Sequence, residues 1–113
     1  MKHFKSGNYL KACRKRSGLS QRELGNLLGY KDAGQVSRHE RATSNPPLAV
    51  AIAYELIFCV PIGSLFTGMR NDVVREVEAK LKEMKAAIEN LKIRPANASL
   101  VAQKLAWLSK RDK

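Results

Sequence analysis

The passage Leu19–Arg41, LSQRELGNLLGYKDAGQVSRHER, constrains this chain more than any other. Ser20 and Glu23 have the spacing of a capping box, in which hydroxyl and carboxylate each accept the other's backbone N–H. Leu24, Leu27 and Leu28 recur at helical spacing, and Gly29 ends the helix. After the turn Gly29–Ala33, Asp32 is placed to cap a second helix over about residues 34–41. Val36 is that helix's apolar anchor. His39, three residues on, suits core or groove contact equally. Gly25 lies inside the first helix, where it costs up to ~1 kcal/mol relative to Ala. A close approach by another element, which a Cβ would block, explains it.

The flanking sequence adds helices and no strands. A first helix over about residues 8–16 places Tyr9, Leu10 and Cys13 on one face, with Arg16 as a further candidate, and stops at Gly18. Residues 42–47 form a loop, because paired prolines exclude a helix interior. Pro46 or Pro47 opens a fourth helix ending near Phe58. Leu48, Ala51, Ile52 and Leu56 are its expected face, although the helix is apolar almost all round. Pro61 opens a short helix to Phe66, and Thr67-Gly68 closes the unit. From about Arg70 to Ile93, Val74, Val77, Leu81, Met84, Ile88 and Leu91 follow heptad spacing and form a candidate dimer seam. Arg94-Pro95 breaks that helix. A last helix, about residues 100–110, carries Val101, Leu105 and Leu108, with Asn97 or Ser99 as its cap. The expected fold is all-α: a compact five-helix unit over 1–68, then a helical hairpin or dimerisation tail over 69–113. Met1–Ser6 reads as a mobile basic arm.

The chain carries 21 Lys/Arg against 10 Asp/Glu, a net charge of +11. Residues 1–41 contribute ten basic and three acidic side chains, net +7, so the excess coincides with the paired helices. Such a surface favours a polyanion. Cys13 and Cys59 have no CxxC or Cys/His partner and read as reduced residues of a cytoplasmic protein. No metal or cofactor site is expected. The N-terminus lacks the apolar run of a secretory signal, and no segment is apolar enough to span a membrane. An enzyme is not expected: His3 and His39 sit in the arm and the second helix, without a nucleophile–His–acid arrangement or a glycine-rich phosphate loop.

Two short helices across a tight turn, the second largely polar, make a helix-turn-helix pattern. With the arginine-rich first helix, Gly18-Leu19-Ser20-Gln21-x-Glu23-Leu24, Leu28-Gly29, Val36-Ser37-x-x-Glu40-Arg41, Pro46/Pro47 and Pro61-Ile62-x-x-Leu65-Phe66, residues 8–66 resemble the Xre/Cro-like, phage-repressor type of DNA-binding domain. The resemblance implies operator binding as a homodimer. It implies base reading by Gly34, Gln35, Ser37 and Arg38. It implies that Gln21 bonds a phosphate and buttresses the second helix, and that Glu40 pairs with Arg14 or Arg16. Two departures stand out. The segment 29–40 is about one residue longer than the common pattern. Residue 42 is Ala where the family usually has Gly, so the helix end needs another solution, for which Asn45 is the candidate.

Physical chemistry and resemblance converge on one mechanism. Ser20, Gln21, Arg22, Lys31 and Arg41 position the domain on phosphates, and backbone N–H groups at the start of the helix that opens at Gln21 assist. Gln35 can pair with adenine and Arg38 with guanine. The expected function is a dimeric repressor on a palindromic operator. The alternative is an antitoxin or mobile-element protein whose C-terminal helices bind a protein partner. RNA binding is disfavoured, because exposed aromatics suited to base stacking are lacking.

Overall fold

A computed structural model of the chain describes residues 6–112. The expected arm over Met1–Lys5, His3 included, lies outside the described residues. Seven helices occur among them: α1 Leu10–Arg16, α2 Gln21–Leu27, α3 Gly34–Glu40, α4 Leu48–Phe58, α5 Ile62–Leu65, α6 Thr67–Glu89 and α7 Ala98–Arg111. Contacts divide the chain into two units, Met1–Val73 and Val74–Lys113.

The first unit is built around Leu10, Cys13, Leu24, Val36, Ala51, Tyr54, Leu65 and Phe66, all buried. Each helix from α1 to α5 contributes at least one of them, so the core fixes how α2 and α3 stand on the rest. Short loops suffice because α1, α2 and α3 end alike. The residue after each C-cap adopts a left-handed conformation: Gly18 at φ 73°, Gly29 at φ 89° and Ala42 at φ 57°. The next residue then bonds back five positions: Leu19 N–H to Arg14 O (3.2 Å), Tyr30 N–H to Gly25 O (2.8 Å) and Thr43 N–H to Arg38 O (3.0 Å). This is the Schellman closure. Ala42, and not Asn45, therefore supplies the C-terminal turn of α3, in a conformation that disfavours a residue with a Cβ.

Several expected faces shift. On α4 the buried residues are Ala51 and Tyr54, whereas Leu48, Ile52 and Leu56 are exposed. A helix apolar on every side has no hydropathy phase to show which face is inward. Tyr54 takes the inward position because its hydroxyl finds a partner there, in His39. Tyr9 and Leu27 are also exposed, not core. Tyr9 precedes α1, and Asn8 Oδ1 accepts the Leu10 N–H at 3.0 Å. Thr67-Gly68 is the first turn of α6 and not the close of a unit.

In the second unit, Ile88, Val101 and Leu108 are buried together, with Leu81 and Leu105 packed against them. Arg111 Nη2 donates to Glu78 at 2.9 Å, and Lys85 lies 4.0 Å from Asp112. α6 and α7 thus fold back on each other, and two positions of the heptad seam, Leu81 and Ile88, pack within the chain. Leu91 lies beyond the end of α6, so the seam is shorter than the spacing implied. Val74 and Met84 are exposed, and Val77 is half-buried. Asn97 occupies the cap position of α7, but its carboxamide oxygen accepts the Arg94 N–H instead.

Candidate nucleic-acid interface

The start of α2 is held by a complete capping box. Ser20 Oγ accepts the Glu23 N–H at 3.0 Å, and Glu23 Oε1 accepts the Ser20 N–H at 2.9 Å. The Ser20 backbone N–H first, and the Ser20 side chain second, hold the Glu23 carboxyl below its ordinary range, while the two bonds of the box fix the first turn. They also occupy two of the N–H groups expected to meet phosphate, leaving those of Gln21 and Arg22. In mid-helix, a Cβ built on Gly25 would stand 2.6 Å from the Asp32 carbonyl oxygen. The close approach is therefore made by the turn leading into α3, against which only glycine fits. Asp32 Oδ1 accepts the Gly34 N–H at 2.8 Å and fixes the start of α3.

Glu40 joins three helices. Arg14 of α1 donates from Nε to Oε2 at 2.6 Å and from Nη2 to Oε1 at 3.2 Å. Arg14 Nη1 also donates to Leu19 O at 2.9 Å, and Gln21 Nε2 of α2 donates to Glu40 Oε1 at 3.0 Å. The side chains of Arg14 and Glu40 are 11% and 2% exposed. A fork-to-carboxylate pair with a third donor satisfies a charge that would otherwise be costly to bury. Arg16, the other candidate partner for Glu40, does not reach it; it is exposed, with Nη2 3.3 Å from Cys13 Sγ.

His39 is buried beneath α3, with Nδ1 2.8 Å from the Tyr54 hydroxyl. Its carbonyl accepts from Asn8 Nδ2 at 2.8 Å. Burial first, and the neighbouring Arg38 charge second, lower the His39 pKa. Burial is also the main cause that raises that of Tyr54. The inward face of α3 is thus Val36 and His39, with Glu40 at its end.

The remaining face of α3 is open. Gln35, Arg38 and Arg41 are exposed, and Gly34 and Ser37 are half-buried. Arg41 Nε donates to Ser37 O at 3.3 Å, along its own helix. The Arg38 guanidinium lies back over Gly34, where a Cβ would stand 3.5 Å from Nη1 and 3.1 Å from Asp32 Oδ1. A Cβ at Gly34 would therefore only touch Arg38 at ordinary contact distance, and it is the Asp32 carboxylate that it would crowd. Arg22 and Lys31, also exposed, extend the basic surface through α2 and the turn.

Sequence reasoning missed three supports: Asn8, Tyr54 and the left-handed Ala42. Asn8 had a signal, since Asn commonly bonds the backbone N–H two residues on in an Asx turn. Tyr54 had none in the local pattern, and at Ala42 the signal was the Gly that the resembling family usually has there. Among the described residues no cluster of His, Cys, Asp or Glu could hold a metal ion, and no helix is long and apolar enough to cross a membrane.

This geometry agrees with what the chain is similar to. Residues 10–65 match the family model HTH_3, described as helix-turn-helix. The segment is a helix-turn-helix domain of the Xre/Cro type. Domains of that family are non-catalytic DNA-binding modules, and the match points to DNA-binding transcriptional regulation in general. Nothing among curated proteins or solved structures matches the chain.

Proposed function

We propose that the chain is a sequence-specific regulator that binds operator DNA through α3, acting in the cytoplasm as a homodimeric repressor. The observation that carries this reading is the pairing of an open α3 face, bearing Gln35, Ser37 and Arg38, with a rigid Arg14–Glu40–Gln21 support behind it. A side chain that reads a base must be held in register, and that support comes from the domain core. Gln35 offers an amide to adenine and Arg38 a fork to guanine. Arg22, Lys31 and Arg41 contact phosphates, and Gln21 adds its free amide hydrogen once Glu40 is satisfied. Repression needs only occupancy of the operator. Because Leu81 and Ile88 pack within their own chain, two copies must pair largely through another surface.

Titration of a fluorescent duplex with the protein at several salt concentrations tests the electrostatic part. Three or four phosphate contacts give a log–log slope of about −3. A salt-independent affinity, or equal affinity for single-stranded RNA, would remove the duplex reading.

A second reading has one observation in its favour. Leu100 and Trp107 of α7, with Ile93 before it, are large apolar side chains left exposed in the second unit. They suit a protein partner, as in an antitoxin whose DNA binding serves its own regulation. Co-purification of a stoichiometric partner that is lost on Trp107→Ser would favour it.

A further inference from the structure

Three large aliphatic side chains of α4 face away from the core. Leu48 is 74% exposed, Ile52 43% and Leu56 72%. They recur at every fourth residue and so form one ridge along the helix. The other side of α4 carries Ala51 and Tyr54 into the core. Single exposed apolar residues are ordinary, whereas a contiguous apolar ridge marks a contact surface.

Charge points to what covers it. The chain carries a net +11, yet Glu55 is the one full charge between residues 42 and 69. Its carboxylate is already engaged, accepting the Ile62 N–H at 2.8 Å. Two such basic chains repel wherever their charged surfaces meet, and α4 brings no basic side chain of its own to a contact. An acidic partner would be drawn to the basic surfaces instead. An anionic membrane selects helices with Lys or Arg beside the apolar face, and α4 has neither. The ridge is also symmetric about its middle, a half-exposed Ile52 between two more exposed leucines one turn away. A two-fold axis through Ile52 sets Leu48 of one copy beside Leu56 of the other. That is the self-complementarity an isologous contact requires, and interdigitated i±4 ridges are the commonest form of helix pairing.

We propose that α4 is the surface on which two copies of this chain pair, with Ile52 at the two-fold axis. The inference rests on α4 alone and gives the homodimer of the DNA-binding reading its contact surface. Three side chains per copy are a small patch beside the ~800 Å² per partner of a standard interface. Pairing is therefore weak between free chains. It becomes effective where two copies are held close together, as on adjacent half-sites at a local concentration in the ~mM range.

Sedimentation equilibrium of the full chain without DNA, from micromolar to millimolar protein and at low and high salt, tests it. The expected result is a monomer–dimer equilibrium that strengthens with salt, because salt screens the repulsion of the net charge and leaves apolar contact intact. Leu48→Ser with Leu56→Ser lowers the association constant by about tenfold or more, with an unchanged melting profile by circular dichroism. In a Cys59→Ser background, Ile52→Cys forms an interchain disulfide on mild oxidation. A wild-type chain that stays monomeric throughout overturns the proposal. So does a dimer undiminished by the two serines, or one that dissociates as salt rises. Binding of the serine variant to a single half-site duplex is measured alongside. Wild-type affinity there with no pairing anywhere would sink the α4 surface and leave DNA reading standing. Failure of the wild-type chain to bind that duplex even at low salt would strike the DNA reading separately.

Discussion

Replacing Arg14 by Met tests whether the buried pair holds α3 in place. The change keeps the length and apolar stem of the side chain but removes three donated hydrogen bonds, two to Glu40 and one to Leu19 O. Glu40, 2% exposed at its side chain, would keep Gln21 as its remaining donor. Taking one partner from a buried pair costs about 3–5 kcal/mol. A domain of this size has a total stability of about 4–11 kcal/mol, so roughly a quarter or more is at stake. The melting temperature should fall by about 12 °C or more. Urea denaturation followed by circular dichroism gives the difference at constant m-value. The double variant Arg14→Met with Glu40→Met should recover most of the loss, since well-packed apolar replacements of buried pairs are often near neutral. A loss below about 1 kcal/mol for Arg14→Met would place the pair among ordinary surface ion pairs. The idea that it braces the interface would then fail.

Other perturbations follow from the same geometry. Ala42→Gly relieves a left-handed alanine and should stabilise the chain by about 0.5–1 kcal/mol, whereas Ala42→Val should destabilise it; thermal melts distinguish the two. Gly25→Ala drives a methyl group into the Asp32 carbonyl and should cost about 1–3 kcal/mol in the same assay, while weakening duplex binding by displacing α3. Because burial lowers the His39 pKa below its unfolded value near 6.5, the unfolded chain takes up this proton first. The stabilising contribution is therefore complete above that value and is lost as pH falls. Denaturation midpoints at pH 7.5 and 5.5 should differ more for wild type than for His39→Gln, and equal differences would remove His39 from the account.

The domain's framework was legible because it is written in local chemistry. The Ser20/Glu23 box, Gly18, Gly29 and Gly25 each answer a backbone requirement that one residue type satisfies best. Arg14 and Glu40 were legible only through family resemblance, since nothing local ties residues 26 positions apart. What stayed hidden was tertiary. The inward face of α4 depends on a hydroxyl meeting a histidine from another helix. The turn at Ala42 depends on two backbone bonds, Thr43 to Arg38 and Ala42 to His39, outweighing a residue's own preference. The heptad spacing of α6 was real, but spacing does not say whether the matching face comes from a second chain or from α7. Leu81 and Ile88 meet α7, which supplies Val101, Leu105 and Leu108.

Selection from a random duplex pool tests the central claim most directly, with wild-type protein and Arg38→Ala carried through in parallel. The account predicts that wild type recovers a motif with two-fold symmetry. It also predicts that Arg38→Ala loses preference at one position per half-site, by about 5–150-fold, while keeping salt-dependent affinity for any duplex. A pool that shows no enrichment, or a motif that Arg38→Ala leaves unchanged, would contradict the assignment of α3 as the reading helix.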